Sequence, residues 1–167
     1  MMMDKTFSDG KELCIYCNGT YGHLTYLHLR DLGIPVSYFA DADRKKLGYA
    51  LDHVNCISYE ALLEKDREST IVLVCKKNPE ELIAHFRGEG FSQTYSYKEI
   101  EKLERTHPVI DLDGETVERI NDFRKGLYQI YYQNKGPIRW DGTKNAFTSE
   151  LERILEDAWE RRRRDAV

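Results

Sequence analysis

Short apolar runs recur through the first two-thirds of the chain, each followed by a stretch with helical spacing, and this alternation narrows the fold more than any other feature. TIVLVC at 70–75 is the clearest run. Its β-branched residues show no apolar–polar alternation, as expected of a strand buried on both faces. LCIYC at 13–17 reads the same way, VSYFAD at 36–41 gives a second strand, and a brief one is expected at 54–57. FSQTYS at 91–96 has the weakest pattern and suits an edge.

The intervening segments read as helices. Thr20 to Leu32 puts Leu24, Leu27 and Leu32 on one stripe, with Tyr21 or His28 at its margin; Gly33 closes it and Pro35 prevents continuation. Ser58 is an N-cap for YEALLEK, and Asn78 with Pro79 opens a helix whose inward face is Leu82, Ile83 and Phe86. Gly88 and Gly90 end that helix, and a short helix through Ile100 and Leu103 completes the unit. Right-handed crossovers convert such a β-α repeat into a parallel sheet with helices on both faces. The expectation is an α/β fold, a small Rossmann-like parallel sheet over residues 11–104 with strand order 3-2-1-4-5, followed by a helical extension over 105–167.

In that extension, 116–132 carries an approximate apolar stripe, 133–145 reads as a loop, and Ser149 with Glu152 forms a capping box for a last helix. Two amphipathic helices offer more apolar surface than a linker needs, so a homodimer through the C-terminal helices is expected. The net charge is −4, with 41% hydrophobic and 32% charged residues, which argues against nucleic-acid binding because a duplex binder concentrates positive charge. The basic block Arg161 to Arg164 suits a helix C-terminus. No apolar run is long enough to span a bilayer and residues 1–10 do not look like a secretion signal, so a soluble, cytoplasmic protein is expected. Cys14, Cys17, Cys56 and Cys75 are expected as reduced core residues. The C-x-x-C pair lies in a strand, where an offset of three points the side chains to opposite faces, and no second pair or nearby histidine completes a metal set.

The segment CNGTYGH at 17–23 is the most informative local feature. A strand-to-helix turn with Gly19 and Gly22 lets backbone approach either a ligand or the sheet, and the free N–H groups of the helix start attract phosphate. Cys17 stands where the first glycine of G-x-G-x-x-G would be. Asp41 ends the second strand, 22 residues after Gly19, where a carboxylate reads ribose hydroxyls and repels a 2′-phosphate. His23 follows the last glycine of the turn, Tyr21 has a ring that stacks on a base or sugar, and Lys76 lies just past the fourth strand.

The stretches IYCNGTYGHLTYLHLRDLG, VSYFADADRKKLG, VNCISYEALLE and IVLVCKKNPEELIAHFRGEGF together resemble the Rossmann-like module that accompanies hexapeptide-repeat sugar O-acyltransferases and precedes some FkbM-type methyltransferase domains. Those families carry glycine at position 17 and Asp-Asn at 41–42, where this chain has Cys17, Asp41 and Ala42. The resemblance implies a nucleotide or nucleotide-sugar ligand, with Asn18, Gly19, Thr20 and Gly22 forming the phosphate turn and Asp41 near a ribose. It covers a little over half the chain and brings no catalytic domain with it. The sequence also has no G-x-S-x-G, no G-x-x-x-x-G-K-[ST] and no H-E-x-x-H, and its five histidines form no metal quartet. The expected role is binding, regulatory or substrate-presenting, with no catalytic or metal-binding residue and no cofactor assigned. An enzyme acting on a sugar nucleotide and an interaction module with an empty cleft are the alternatives.

Overall fold

The computed structural model describes residues 4–47, 50–51, 54–103, 114–123 and 139–140, and residues 150, 153, 154, 156, 157, 160, 161 and 164. Five parallel strands form the centre: β1 (Glu12–Tyr16), β2 (Tyr38–Asp41), β4 (Val54–Ser58), β5 (Thr70–Val74) and β6 (Thr94–Ser96). Across the sheet they run β6-β5-β1-β2-β4, the predicted order. Two two-residue strands, β3 (Ala50–Leu51) and β7 (Arg139–Trp140), extend it beyond β4. β3 pairs antiparallel with β4, and β7 lies inside what the sequence presented as a loop. Two residues are too few to carry a period-2 signal.

Alternation along the strands divides the core into two layers. Leu13, Ile15, Phe39, Ile71 and Leu73 face one side, where Leu24 and Leu27 of α1 (Thr20–Asp31) cover them. Cys14, Tyr16, Ala40, Val72 and Val74 face the other, against Leu62 of α2 (Tyr59–Leu63) and Phe86 of α3 (Glu80–Gly88). All five residues of β5 are buried, as a central parallel strand requires. Each such aliphatic or aromatic side chain contributes about 1.5–3 kcal/mol on burial.

Helix α1 departs from the expected single stripe. Gly22 through Leu29 are all buried, including His23 and His28. Its outer side is covered as well: Tyr21 stacks on Tyr97 of the 3-10 helix Tyr97–Lys102, and Ile120 and Ile154 of the extension join the apolar cluster of Leu24 and Leu27. A helix packed all round has no need of a polar face. Its end follows expectation, with Gly33 at φ +73°.

Residues 114–123 are helical (α4 below), as are the described residues between 150 and 164. The remainder of the predicted 116–132 helix, the Ser149–Glu152 capping box and Trp159 lie outside the described residues. Ser58 caps α2, accepting from the Ala61 N–H at 3.0 Å. The predicted Asn78 cap is not formed: α3 starts at Glu80, Pro79 holds the cap position without a side-chain hydrogen bond, and Asn78 is exposed. The strand predicted over 91–96 is shorter, because Phe91 turns into the core beside Phe86. Among the described residues no helix is long and apolar enough to cross a membrane.

Candidate functional site

In the strand order, β1 connects through α1 to β2 on one side, whereas β5 and β6 lie on the other. The crevice between the carboxyl ends of β1 and β5 is therefore the switch point of the sheet, where open α/β folds hold ligands. The β1–α1 turn follows the end of β1, and the segment with exposed Lys76 follows the end of β5.

Cys17 has left the strand. It adopts φ +81°, the left-handed backbone of the glycine whose place it takes, and its N–H donates to the Ala40 carbonyl at 2.9 Å. The alternation argument for the C-x-x-C pair consequently fails at Cys17, which packs half-buried against the same cluster that contains Cys14. All four cysteines are free, and Cys14, Cys56 and Cys75 are buried. Gly22 has the role of the motif's last glycine: a Cβ there would stand 2.3 Å from the Cys17 carbonyl oxygen and 3.3 Å from Ile15 Cγ2. Helix and turn touch so closely that only glycine fits. Gly19 caps α1 in an extended conformation with no side-chain hydrogen bond, leaving the first-turn N–H groups without a side-chain cap at that position.

Asn18 and His23 lie beneath this turn and not on its surface. Both are fully buried, and Asn18 Oδ1 is 2.7 Å from His23 Nε2, so that nitrogen donates. The His23 ring meets Phe39 edge-on at 5.8 Å between centroids. The residue that follows the last glycine of the turn is thus closed off from solvent. Thr20 is buried too, and its hydroxyl donates to Asn121 Oδ1 of α4. Tyr21 is half-buried against Tyr97, with ring centroids 5.3 Å apart.

Asp41 sits at the end of β2, as the sequence indicated, but its carboxylate points back into the turn. Oδ2 accepts from the Asn18 N–H at 2.8 Å and from Lys46 Nζ at 3.3 Å, while Oδ1 accepts from the Asp43 N–H at 2.9 Å. Three of about four lone-pair positions are thus occupied. Lys46, on the 3-10 helix Arg44–Lys46, belongs to the site and was missed by sequence reasoning, since a polar loop offers no periodic signal. The Cys17 thiol lies within the field of Asp41, Lys46 and Lys76; burial, reinforced by the Asp41 charge, pushes it up to about 11 against the two ammonium groups.

Among the described residues, cavities also lie away from this edge. One of about 200 Å³ is at the amino edge, lined by Phe7, Lys11, Gln93 and Tyr95 among others; one of about 280 Å³ lies between α4 and the C-terminal helix, lined by Arg119, Arg161 and Arg164 with Glu115, Asp157 and Glu160. In the second, Arg119 pairs with Asp157 and Arg161 with Glu115, so the charges offset one another. No group of three or more His, Cys, Asp or Glu suited to a metal ion occurs among the described residues. No protein-family model matches the chain, and neither the curated proteins nor the solved structures compared with it include a match.

Proposed function

We propose that the carboxyl edge of the sheet binds an anionic nucleotide or nucleotide-sugar, its phosphate over Gly19 to Gly22 and its ribose toward the end of β2. The observation that carries this reading is the turn itself. Cys17 keeps the positive φ of a glycine-rich phosphate turn, and Gly22 keeps the close helix approach, so the backbone form survives the loss of the first glycine. Thermal melting with nucleoside mono- and diphosphates and nucleotide-sugars tests it. A ligand selective for the native state raises the melting temperature through mass action. The absence of any shift across the panel, with no heat on calorimetric titration, counts against the reading. The role is regulatory or substrate-presenting in a cytoplasmic protein; direct catalysis on a sugar nucleotide is the more demanding version and requires turnover to be measured.

One observation favours a second reading, an interaction module with an unused cleft. Asn121 of α4 already holds the Thr20 hydroxyl at the phosphate turn. In that reading the chain acts through a homodimer formed by the C-terminal helices. Ile120 and Ile154, at 0% and 2% exposure, are already committed to the internal core, so a dimer would use other side chains. Light scattering over a range of concentrations decides it: a mass fixed near 19.6 kDa excludes the dimer.

A further inference from the structure

We infer that the nucleotide ligand carries a second phosphate, esterified to its ribose at the 2′ or 3′ oxygen, and that Arg44 and Lys46 receive it. The inference rests on the nucleotide reading above and specifies its ligand. In a doubly wound sheet the end of the second strand meets the ribose, and the residues there distinguish a free hydroxyl from a phosphate ester. A free-hydroxyl site needs a carboxylate with acceptor capacity to spare. Asp41 has little: two backbone N–H groups and the Lys46 ammonium occupy its oxygens, and its side chain is only 11% exposed. It clamps the turn to β2 instead of facing outward.

The same contacts remove the objection to a ribose phosphate. An isolated carboxylate would repel it, but Asp41 is paired with Lys46 at 3.3 Å. The segment 41–46 carries three bases against two acids, with Asp43 the exposed opposing charge. Arg44 is exposed on the 3-10 turn that follows the strand directly. A planar guanidinium offers paired donors that match phosphate oxygens, and the neighbouring ammonium adds a point charge. Both groups come from the one segment that a ribose substituent would meet.

Calorimetric titration of the whole chain at low salt tests this with the four nucleoside 5′-monophosphates and their 2′,5′- and 3′,5′-bisphosphates. The expected result is about tenfold tighter binding of one bisphosphate series than of the monophosphates, the scale of one charge-assisted hydrogen bond. Arg44→Ala should reduce that preference while leaving monophosphate affinity unchanged, and Arg44→Ala with Lys46→Ala should abolish it. Circular dichroism checks the fold of the double variant, and the exposed single variant keeps the test valid should the double one unfold. Equal affinity for mono- and bisphosphates, or a preference that Arg44→Ala leaves intact, overturns the inference while the nucleotide reading stands. No binding by any of the three series overturns the inference, and the same silence from the nucleoside diphosphates and nucleotide-sugars overturns the nucleotide reading itself.

Discussion

Asn18 Oδ1 and His23 Nε2 lie 2.7 Å apart in a fully buried pair, so the first turn of α1 is anchored from below by a residue of the loop that leads into it. The Asn18 backbone N–H donates to Asp41 at the same time. One residue thereby joins β1, α1 and β2, and the candidate ligand turn is held by polar bonds within an otherwise apolar layer. Asn18→Ala removes the acceptor facing His23 and should cost about 1–3 kcal/mol, the penalty for stranding a buried polar group. Urea denaturation measures it; an unchanged midpoint would show that the pair contributes nothing.

At Cys17 the usual ranking of alanine over glycine should invert. With φ at +81°, any Cβ is strained there, by about 1–2 kcal/mol. Both substitutions remove the thiol, so comparing them isolates the backbone term. Cys17→Gly should be more stable than Cys17→Ala by about 1 kcal/mol after glycine's larger unfolded-state entropy is deducted. Alanine equal to or above glycine would mean that the turn does not hold this conformation.

Gly22→Ala should be far more damaging. The new methyl would meet the Cys17 carbonyl oxygen at 2.3 Å, a backbone atom that cannot rotate away. Overpacking of this kind costs about 1–3 kcal/mol or more, and the strain falls on the candidate phosphate turn. Thermal unfolding within a few degrees of the parent protein would contradict the close approach.

The sheet was legible in the sequence because each central strand buries both faces, and Thr70 to Val74 can then carry an uninterrupted apolar run. The strand order of the five parallel strands is the expected 3-2-1-4-5, although crossover handedness alone does not choose it among doubly wound arrangements. Contacts made across long sequence separation were not legible. Nothing near Thr20 announces Asn121, and nothing in the spacing of α1 reveals that Tyr97, Ile120 and Ile154 cover its outer side. Nor does the spacing show that His23 lies beneath the turn, bonded to Asn18 and edge-on to Phe39. Asp41 was located correctly, but a strand-end carboxylate looks the same in sequence whether it faces a ligand or three donors of its own chain.

That orientation changes what Asp41→Asn reports. In sequence terms it is a near-isosteric probe of ligand binding, yet an amide cannot accept at both positions where the Asn18 and Asp43 N–H groups donate. The variant should lose about 1–3 kcal/mol of stability in the absence of any ligand. Guanidinium denaturation of the unliganded protein tests this, and a variant as stable as the parent would restore Asp41 as a direct ligand contact.

The thiols give the pH dependence. Burial pushes Cys17 from its ordinary value near 9 up to about 11, and Cys56 and Cys75 up to about 12. A folded-state value above the unfolded one means that the native state holds its proton more tightly. The associated stability is fully present below pH 9 and is lost as pH rises through the interval from 9 to 12. Denaturation midpoints should accordingly be flat near neutral pH and fall on the alkaline side. Cys17, the half-buried one of the four, should be the first to react with iodoacetamide. At pH 8 little of this thiol is ionised, so alkylation should be slow there and rise steeply toward pH 11. Asp41→Asn removes a charge that opposes the thiolate and should speed the reaction, whereas Lys46→Met removes one that favours it and should slow it. Mass spectrometry after timed alkylation follows each cysteine separately. Rapid modification of Cys17 at pH 7, or a rate indifferent to both substitutions, would show that this thiol does not lie in the field of Asp41 and Lys46.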